Sequence, residues 1–322
     1  MAIAASGVGK TYTGAPQPAL DGFDLEVPQG TVYGLLGPNG AGKTTAIRIL
    51  STLMRLDAGR AVVAGHDVST QGAQVRRRIG LVGQYAAVDE ILSGRQNLVL
   101  FGQLNHLSRA RAAARADELL ERFGLAEAGG RSVEKYSGGM RRRLDLAASL
   151  IVSPEVLFVD EPTTGLDPQA RQEVWAAVRE LVAGGTTVLL TTQYLEEADR
   201  LASRIAMLWH GRVVREGTPD ELKAAVGDDW IDLVFDDPEQ ARAALPVVLR
   251  HADGEARTDE VRISVPVKQR TKALVAVSAA LAAAGVEPAE VNLRRPTLDE
   301  VFLELDRQQH ERQQHDRQGV AA

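Results

Sequence analysis

This 322-residue chain contains a segment from which its fold class can be inferred, Gly37-Pro38-Asn39-Gly40-Ala41-Gly42-Lys43-Thr44. It fits the pattern GxxxxGK[ST] and lies between the apolar run 31–36, which predicts a buried strand, and a predicted helix. Glycines let successive backbone N–H groups curl around phosphates, and the helix N-terminus adds its positive end. Lys43 supplies a mobile cation, and Thr44 offers a hydroxyl to Mg²⁺. An ordinary glycine-rich turn is the alternative, but the strand and helix on either side favour a triphosphate-binding loop, called the phosphate loop below.

Two carboxylates follow a second apolar run. Residues 156–159 read Val-Leu-Phe-Val and are followed by Asp160 and Glu161. Ligands of open α/β sheets bind at the carboxyl ends of the strands, which is where this pair lies. We expect Asp160 to hold Mg²⁺, usually through water, and Glu161, pointing the other way on an extended chain, to polarise the attacking water. Taken alone, such a pair is more often a turn or helix cap, and the phosphate loop reverses that preference.

The surrounding pattern predicts an α/β fold. The apolar runs 156–159 and 187–190 flank a helical pattern over 169–182, which is typical of a parallel sheet with crossover helices. Residues 1–36 alternate short strand-like runs with turn residues. Residues 88–123 are helical in pattern, with Ser108 as an N-cap and Gly124 as a stop. We therefore expect an inserted α-helical subdomain over about 86–150.

A second, small α/β domain is predicted after residue 225. Strand-like segments at 230–235 and 261–267 alternate with helical ones, and 298–305 predicts a short amphipathic helix. The final residues 307–322 contain RQQHERQQHDRQ, which has too little apolar content to pack. The expected domains are a nucleotide-binding domain at 1–225, an accessory domain at 226–306 and a disordered tail at 307–322.

Composition excludes several classes of protein. The net charge is −6, and the arginine runs 76–78 and 141–143 are isolated in a mixed surface, so nucleic-acid binding is not favoured. A solvated helix face explains the first run and competes strongly for the second. No apolar run approaches the roughly 18 to 20 residues that span a bilayer; the stretch 273–286 is interrupted by Ser278. The N-terminus does not resemble a signal peptide. The absence of cysteine excludes disulfides and thiolate metal sites.

The segment Tyr136-Ser137-Gly138-Gly139-Met140 resembles the signature motif of ABC (ATP-binding cassette) ATPases, a group of P-loop NTPases. The rest of the family order is present over about residues 3–222. Tyr12 resembles the aromatic residue that stacks on adenine, and Gln84 the glutamine that links Mg²⁺ to the transporter. Residues 165–167, Gly-Leu-Asp, resemble the loop that crosses the dimer. The resemblance implies an ABC ATPase core with an N-terminal antiparallel β-subdomain.

The resemblance also implies roles for individual residues. The residues expected to contact ATP are Tyr12, Gly37, Pro38, Asn39, Gly40, Ala41, Gly42, Lys43, Thr44 and Thr45, and the expected Mg²⁺ ligands are Thr44, Gln84 and Asp160. The expected catalytic groups are Lys43, Glu161 and Gln193. Residues expected to contact ATP bound to a second copy are Ser137, Gly138, Gly139 and Met140, and Asp167 is expected in the dimer loop. Simpler readings stay open for three of these: Tyr12 as a strand aromatic, Gln84 as a loop residue without a ligand, and 137–139 as a helix cap and turn.

Two departures from the common family pattern narrow the resemblance. Met140 replaces a signature glutamine, and Gln193 replaces the switch histidine, so only a neutral amide can reach the γ-phosphate and slower catalysis is expected. The daunorubicin-resistance group of drug-exporter ATPases has segments similar to 136–145, 190–199 and 298–303 of this chain. The last of these lies in the C-terminal domain, so the resemblance covers nearly the full length of the chain. That implies a bacterial, peripheral subunit on the cytoplasmic face of the membrane, forming a head-to-tail dimer and paired with a separate integral-membrane permease that expels hydrophobic drugs or antibiotics.

Two other functions remain as alternatives. A non-transport ABC ATPase of translation or DNA repair would usually carry two cassettes or a long coiled coil, and this chain has neither. A non-hydrolytic nucleotide-binding module would not need Glu161.

Overall fold

The structure is a computed structural model that describes residues 1–84, 87–225 and 229–307. The chain divides into two compact units, with the boundary between Pro219 and Asp220. The first unit contains, in chain order, β1 (Ile3–Lys10), β2 (Leu20–Val27), β3 (Val32–Leu36), α1 (Lys43–Leu50), β4 (Ala58–Val63), β5 (His66–Asp67), α2 (Gly72–Arg76), β6 (Ile79–Val82), α3 (Gly94–Leu104), α4 (Arg109–Arg122), α5 (Gly138–Ser149), β7 (Val156–Asp160), α6 (Pro168–Ala183), β8 (Thr187–Thr192), α7 (Leu195–Leu201), β9 (Arg204–Trp209) and β10 (Arg212–Gly217).

A six-stranded sheet forms the centre of the first unit, in the order β10-β9-β3-β8-β7-β6. All of its pairings are parallel except β9 with β10. Every residue of β3, β7 and β8 is buried, as expected for strands covered on both faces. Because the strands are parallel, the carboxyl ends of β3, β6, β7 and β8 meet at one edge of the sheet. The segments that follow these four strands therefore lie together.

A second, antiparallel sheet has the order β2-β1-β4-β5. Its inward-facing residues, including Ile3, Phe23 and Val63, join one apolar core with Ile47 of α1 and Phe158 of β7. The antiparallel β-subdomain and the α/β core predicted from the sequence are both confirmed. The phosphate loop thus starts from a strand packed between two layers.

Helices α3, α4 and α5 build the part of the first unit between β6 and β7. Ser93 caps α3 in a capping box with Gln96, and Ser108 caps α4 by accepting a hydrogen bond from the Arg111 amide, as predicted for Ser108. Leu98, Leu119 and other apolar side chains of these helices pack with Leu157 of β7 in a single core. These helices are therefore anchored to the same strand that ends at Asp160.

The second unit contains α8 (Pro219–Ala224, which starts at the last residue of the first unit), β11 (Asp229–Val234), α9 (Pro238–Val248), β12 (Arg257–Thr258), β13 (Arg262–Val267), α10 (Arg270–Ala283), β14 (Glu290–Arg294) and a helix, α11, described over 298–307. Its antiparallel sheet has the order β12-β13-β11-β14 and packs on α9 and α10 through Ile231, Val265 and Leu281. The alanine-rich stretch near 273–286 is α10. Among the described residues, no helix is long and apolar enough to span a bilayer. Apart from Arg307, the predicted tail lies outside the described residues.

Candidate nucleotide-binding site

The phosphate loop follows β3 and leads into α1, and at two of its glycine positions no residue with a Cβ atom fits without a clash. A Cβ atom on Gly37 would lie 2.4 Å from the carbonyl oxygen of Leu208 in β9. Gly42 has φ of 111°, a conformation that L side chains rarely adopt, and a Cβ there would lie 2.4 Å from the carbonyl oxygen of Ala19. The backbone of this loop is therefore pressed against its neighbours, which fixes the peptide groups that would surround a phosphate.

Lys43 is the first residue of α1, and its side chain is only 5% exposed. The ammonium group Nζ donates hydrogen bonds to the carbonyl oxygens of Gly37 at 2.7 Å and Pro38 at 3.1 Å. It also lies 3.8 Å from Glu161 Oε1. Burial lowers the pKa of Lys43, and the nearby carboxylates of Glu161 and Asp160 oppose that change. The ammonium group of Lys43 is thus held beside the phosphate loop by two backbone carbonyl oxygens of that loop.

Asp160 and Glu161 lie at the end of β7, and their carboxylates face different partners. Asp160 is buried and accepts a hydrogen bond from the hydroxyl of Thr191 on β8. Glu161 accepts a hydrogen bond from Thr164 Oγ1 at 3.3 Å, and its amide donates to the Thr191 carbonyl at 3.0 Å. The expectation of an extended chain at Glu161 is wrong, because its φ is 49°. A left-handed residue is costly for glutamate, so a strained turn, rather than strand alternation, separates the two carboxylates.

Tyr12 lies beside the start of α1. It follows β1 without belonging to it, so the reading as a strand aromatic is wrong. Its hydroxyl lies 3.1 Å from Thr45 Oγ1, and its side chain remains 38% exposed. Thr44, the preceding residue of α1, is half-buried. The structure therefore brings Tyr12 to the phosphate loop with part of its ring accessible.

Gln84 and Gln193 follow β6 and β8 at the same sheet edge, and both are exposed. The turn after Gln193 is fixed by the Tyr194 amide, which donates to Thr192 Oγ1 at 2.9 Å. Residues 85 and 86 lie outside the described residues. The phosphate loop, the carboxylate pair and the two glutamines thus follow the four strands whose carboxyl ends coincide.

The signature residues form the start of α5. Ser137 is its N-cap, and Ser137 Oγ accepts a hydrogen bond from the Met140 amide at 3.2 Å. A Cβ on Gly139 would lie 2.8 Å from the Cβ of Ala170 in α6. Asp167 caps α6 by accepting from the Ala170 amide at 2.9 Å. The reading of 137–139 as a cap is right as local structure; Ser137, Gly138 and Asp167 are also exposed together where α5 and α6 begin.

Arg142 and Asp145 are two buried charged residues of α5 that sequence reasoning did not identify. The competing reading of 141–143 as a solvated helix face is wrong for Arg142, which is 6% exposed. Its guanidinium donates to backbone carbonyls at the ends of β6 and β7, and Asp145 accepts from the Ala87 amide at 2.9 Å. The spacing i, i+3, which places opposite charges on one helix face, was the available signal.

The donor set fits a nucleotide with Mg²⁺. The hydroxyl of Thr44, the carboxylate of Asp160 and the side-chain amide of Gln84 are oxygen donors of the kind Mg²⁺ accepts. In the described parts of the chain, no group of three or more His, Cys, Asp or Glu side chains could hold a metal alone. A single carboxylate suffices where phosphate oxygens complete the coordination. The chain therefore offers a site for a phosphate-bound cation.

Comparison with known proteins identifies the family. Residues 20–164 match the ABC transporter family. The chain is 60% identical over 312 residues to the daunorubicin resistance ATP-binding protein DrrA2 of Streptomyces coeruleorubidus, covering 96% of each chain. It is 48% identical over 325 residues to the doxorubicin resistance ATP-binding protein DrrA of Mycobacterium tuberculosis, covering 100% of this chain and 98% of that one. A solved dimeric ATP-binding cassette in a post-hydrolysis state with ADP and Pi has a TM-score of 0.61 and 25% identity, covering 67% of this chain and 98% of the other. The chain belongs to the ABC transporter family, within the group of daunorubicin-resistance ATP-binding proteins.

Proposed function

We propose that this chain is the subunit that binds and hydrolyses ATP in an ABC exporter and that it drives the efflux of hydrophobic drugs or antibiotics through a separate membrane permease. The observation that carries the proposal is the meeting of Lys43 and Glu161 at 3.8 Å beside the phosphate loop, with Asp160 buried next to Glu161. A cation for the phosphates, a metal ligand and a candidate base are the groups that ATP hydrolysis needs.

Each predicted site residue has a role in this reaction. Residues 37–45 bind the phosphates, with Lys43 Nζ exchanging its carbonyl partners for phosphate oxygens, and the ring of Tyr12 stacks on the adenine. Thr44, Asp160 and Gln84 hold Mg²⁺, which neutralises phosphate charge when bound. Glu161 accepts the proton of the attacking water, and Gln193 donates an amide hydrogen bond to the γ-phosphate.

A second copy completes the site. Ser137, Gly138, Gly139 and Met140 of that copy contact the γ-phosphate with the positive end of α5, and Asp167 lies in the loop at the dimer interface. Exposure of Ser137 and Gly138 at the start of α5 supports this role. The solved cassette with bound ADP and Pi is itself dimeric, which supports a paired assembly for this chain. Because ATP bridges the two copies, hydrolysis opens the pair.

The class of transported substrate and the membrane partner are inferred from the relatives of this chain. Those proteins are named for resistance to daunorubicin and doxorubicin, which supports drug efflux for this chain. Such a subunit lies on the cytoplasmic face of the membrane, bound to the permease. We propose residues 1–225 as the nucleotide-binding domain and 226–306 as an accessory domain; the boundary between the two compact units falls six residues earlier, after Pro219. A role in translation or DNA repair has no observation in its favour.

Transport in everted membrane vesicles tests this function. The chain is produced together with a candidate membrane permease, and accumulation of a fluorescent hydrophobic drug inside the vesicles is measured. Accumulation should require the chain, the permease and hydrolysable ATP with Mg²⁺ together. Vesicles with the permease alone, or with a non-hydrolysable ATP analogue, are the controls. Equal accumulation without ATP or without this chain would refute the proposed function.

A further inference from the structure

Helix α5 carries a buried ion pair that the reaction described above does not use. Arg142 is 6% exposed and Asp145 is 4% exposed, and Arg142 Nη1 lies 3.4 Å from Asp145 Oδ2. Burial lowers the pKa of Arg142 and raises the pKa of Asp145, so each charge is disfavoured by its surroundings. Removing two charges from water is unfavourable, and their mutual attraction offsets this only with good geometry and further hydrogen bonds. The further hydrogen bonds of Arg142 and Asp145 therefore indicate what the ion pair does in the structure.

Arg142 binds three backbone carbonyl oxygens. Its Nε donates to the carbonyl oxygen of Pro162 at 2.8 Å, Nη1 to that of Gly83 at 2.6 Å, and Nη2 to that of Asp160 at 3.2 Å. Gly83 directly follows β6, while Asp160 ends β7 and Pro162 lies just beyond it. A planar guanidinium holds its acceptors in a fixed arrangement, which the flexible ammonium of lysine cannot reproduce. Arg142 thus sets the position of the end of β6 relative to the end of β7.

Asp145 binds the far side of the same segment. Its Oδ1 accepts a hydrogen bond from the Ala87 amide at 2.9 Å. Gly83 immediately precedes Gln84 and Ala87 follows it by three positions, so both sides of Gln84 are attached to one ion pair on α5. The first turn of α5 carries the signature residues. Displacement of α5 would therefore move the backbone beside Gln84.

We propose that Arg142 and Asp145 are positioning residues that hold Gln84 in register with Asp160 and tie it to the signature helix. This role rests on the proposed function, in which Gln84 and Asp160 share a Mg²⁺ ion. The pair touches no reacting atom. Loss of a group that orients metal ligands typically costs 10–100-fold in metal affinity or activity. The cost should fall on the Mg²⁺ requirement and kcat, while the phosphate loop retains its affinity for ATP without metal.

Hydrogen exchange of the full chain tests the attachment without nucleotide. Exchange at the Ala87 amide should be at least 10-fold faster in Asp145→Ala than in the wild type, because its acceptor is gone. In Asp145→Asn exchange should stay within a few-fold of the wild type, since the asparagine carbonyl can still accept. Peptides from β3 and β8, the buried central strands of the same unit, report whether the variants remain folded. Unchanged exchange at Ala87 in Asp145→Ala would overturn the attachment.

A magnesium titration of ATP turnover tests the positioning role. Arg142→Met should raise the Mg²⁺ concentration for half-maximal turnover 10–100-fold, with ATP affinity in EDTA within twofold of the wild type. Arg142→Lys should recover only part of that loss. Arg141→Met is the matched control, because Arg141 is adjacent on α5 and pairs with Glu90 at the surface. Its magnesium requirement should be that of the wild type.

The double variant Arg142→Met with Asp145→Leu separates positioning from packing. An apolar pair can replace a buried ion pair without loss of stability, so its melting temperature should return towards that of the wild type. The positioning role predicts that the magnesium requirement stays high. Recovery of both quantities would show that the pair only packs and would overturn the proposal. If the wild type itself hydrolysed no ATP, the proposed function would fail, and the exchange experiment would decide on the attachment by itself.

Discussion

Glu161→Gln removes one negative charge and one basic oxygen while keeping the shape of the side chain. The strained turn should persist, because the backbone bond from the Glu161 amide to the Thr191 carbonyl, at 3.0 Å, is unaffected. The new side-chain amide can still accept a hydrogen bond from Thr164 through its oxygen. The main electrostatic change is at Lys43, which loses its partner at 3.8 Å and keeps its bonds to the loop carbonyls. The variant therefore isolates proton acceptance from the architecture of the site.

A positioned general base contributes about 10²- to 10⁴-fold to a rate. At about 1.36 kcal/mol per tenfold change, the variant should lose about 2.7 to 5.4 kcal/mol of transition-state stabilisation. Affinity for ATP should be unchanged or higher, since a carboxylate that repels phosphate is gone. Slow turnover with intact binding should also trap the ATP-bound dimer, which light scattering detects.

Glu155→Gln is the matched control for this variant. Glu155 lies just before β7, at the opposite end from Glu161, and pairs with Arg78 at 2.8 Å with its side chain 53% exposed. An exposed pair contributes at most about 1 kcal/mol, so turnover and dimerisation should match the wild type. Steady-state phosphate release with Mg²⁺ and saturating ATP provides the comparison. Turnover of Glu161→Gln within threefold of the control would refute the role of Glu161 as the base.

Three further variants test separate parts of the site. Gln193→Ala should lower ATP turnover by about 10²-fold, the loss typical of one transition-state donor, with little change in nucleotide affinity; unchanged kcat would remove the role of Gln193. Gly42→Ala should lower the free energy of unfolding in urea by more than about 2 kcal/mol, because a left-handed residue and a contact at 2.4 Å are both imposed. Gly14→Ala, with φ of 81° and open space, is its control and should lose about 1 kcal/mol; equal losses would contradict the packing account. Glu197 lies in α7 and is fully buried. Burial raises the pKa of Glu197, so its contribution to the free energy of unfolding is largest at low pH and declines as pH rises above the usual glutamate value. Glu197→Gln removes that decline, and its side-chain oxygen can still accept the bond from Trp175 Nε1, which is 3.0 Å long in the wild type. The melting temperature of Glu197→Gln minus that of the wild type should therefore grow from pH 5 to pH 8, and a constant difference would show that Glu197 does not titrate as described.

The phosphate loop and the carboxylate pair were predictable because each depends on a short, local pattern. A buried apolar run predicts a parallel strand, and the residues directly after such a strand lie at the ligand edge of the sheet. That reasoning placed Asp160 and the phosphate loop with Lys43 at strand ends, and the family resemblance added Gln84 and Gln193. In the structure all four follow strands whose carboxyl ends meet at one edge. Ser108 as a helix cap was predictable from an equally local signal.

Other features depend on contacts between segments distant in sequence. Arg142 lies in a run of three arginines that looks solvated, and its burial becomes evident only when α5 packs on the ends of β6 and β7. The left-handed conformation of Glu161 arises from its backbone bond to β8, which the extended pattern of β7 does not encode. The alternative reading of Tyr12 as a strand aromatic could not be rejected from the sequence, because the end of β1 is set by pairing with its neighbours.

The function proposed for this chain requires that the phosphate loop and Lys43 hold a triphosphate. Calorimetric titration with ATP measures that binding directly. The wild type should bind ATP, more tightly with Mg²⁺ than in EDTA, and Lys43→Ala should abolish binding. Lys272→Ala, which removes an exposed lysine of α10, is the control and should bind like the wild type. Absence of magnesium-dependent affinity in the wild type, or tight ATP binding retained by Lys43→Ala, would contradict the account.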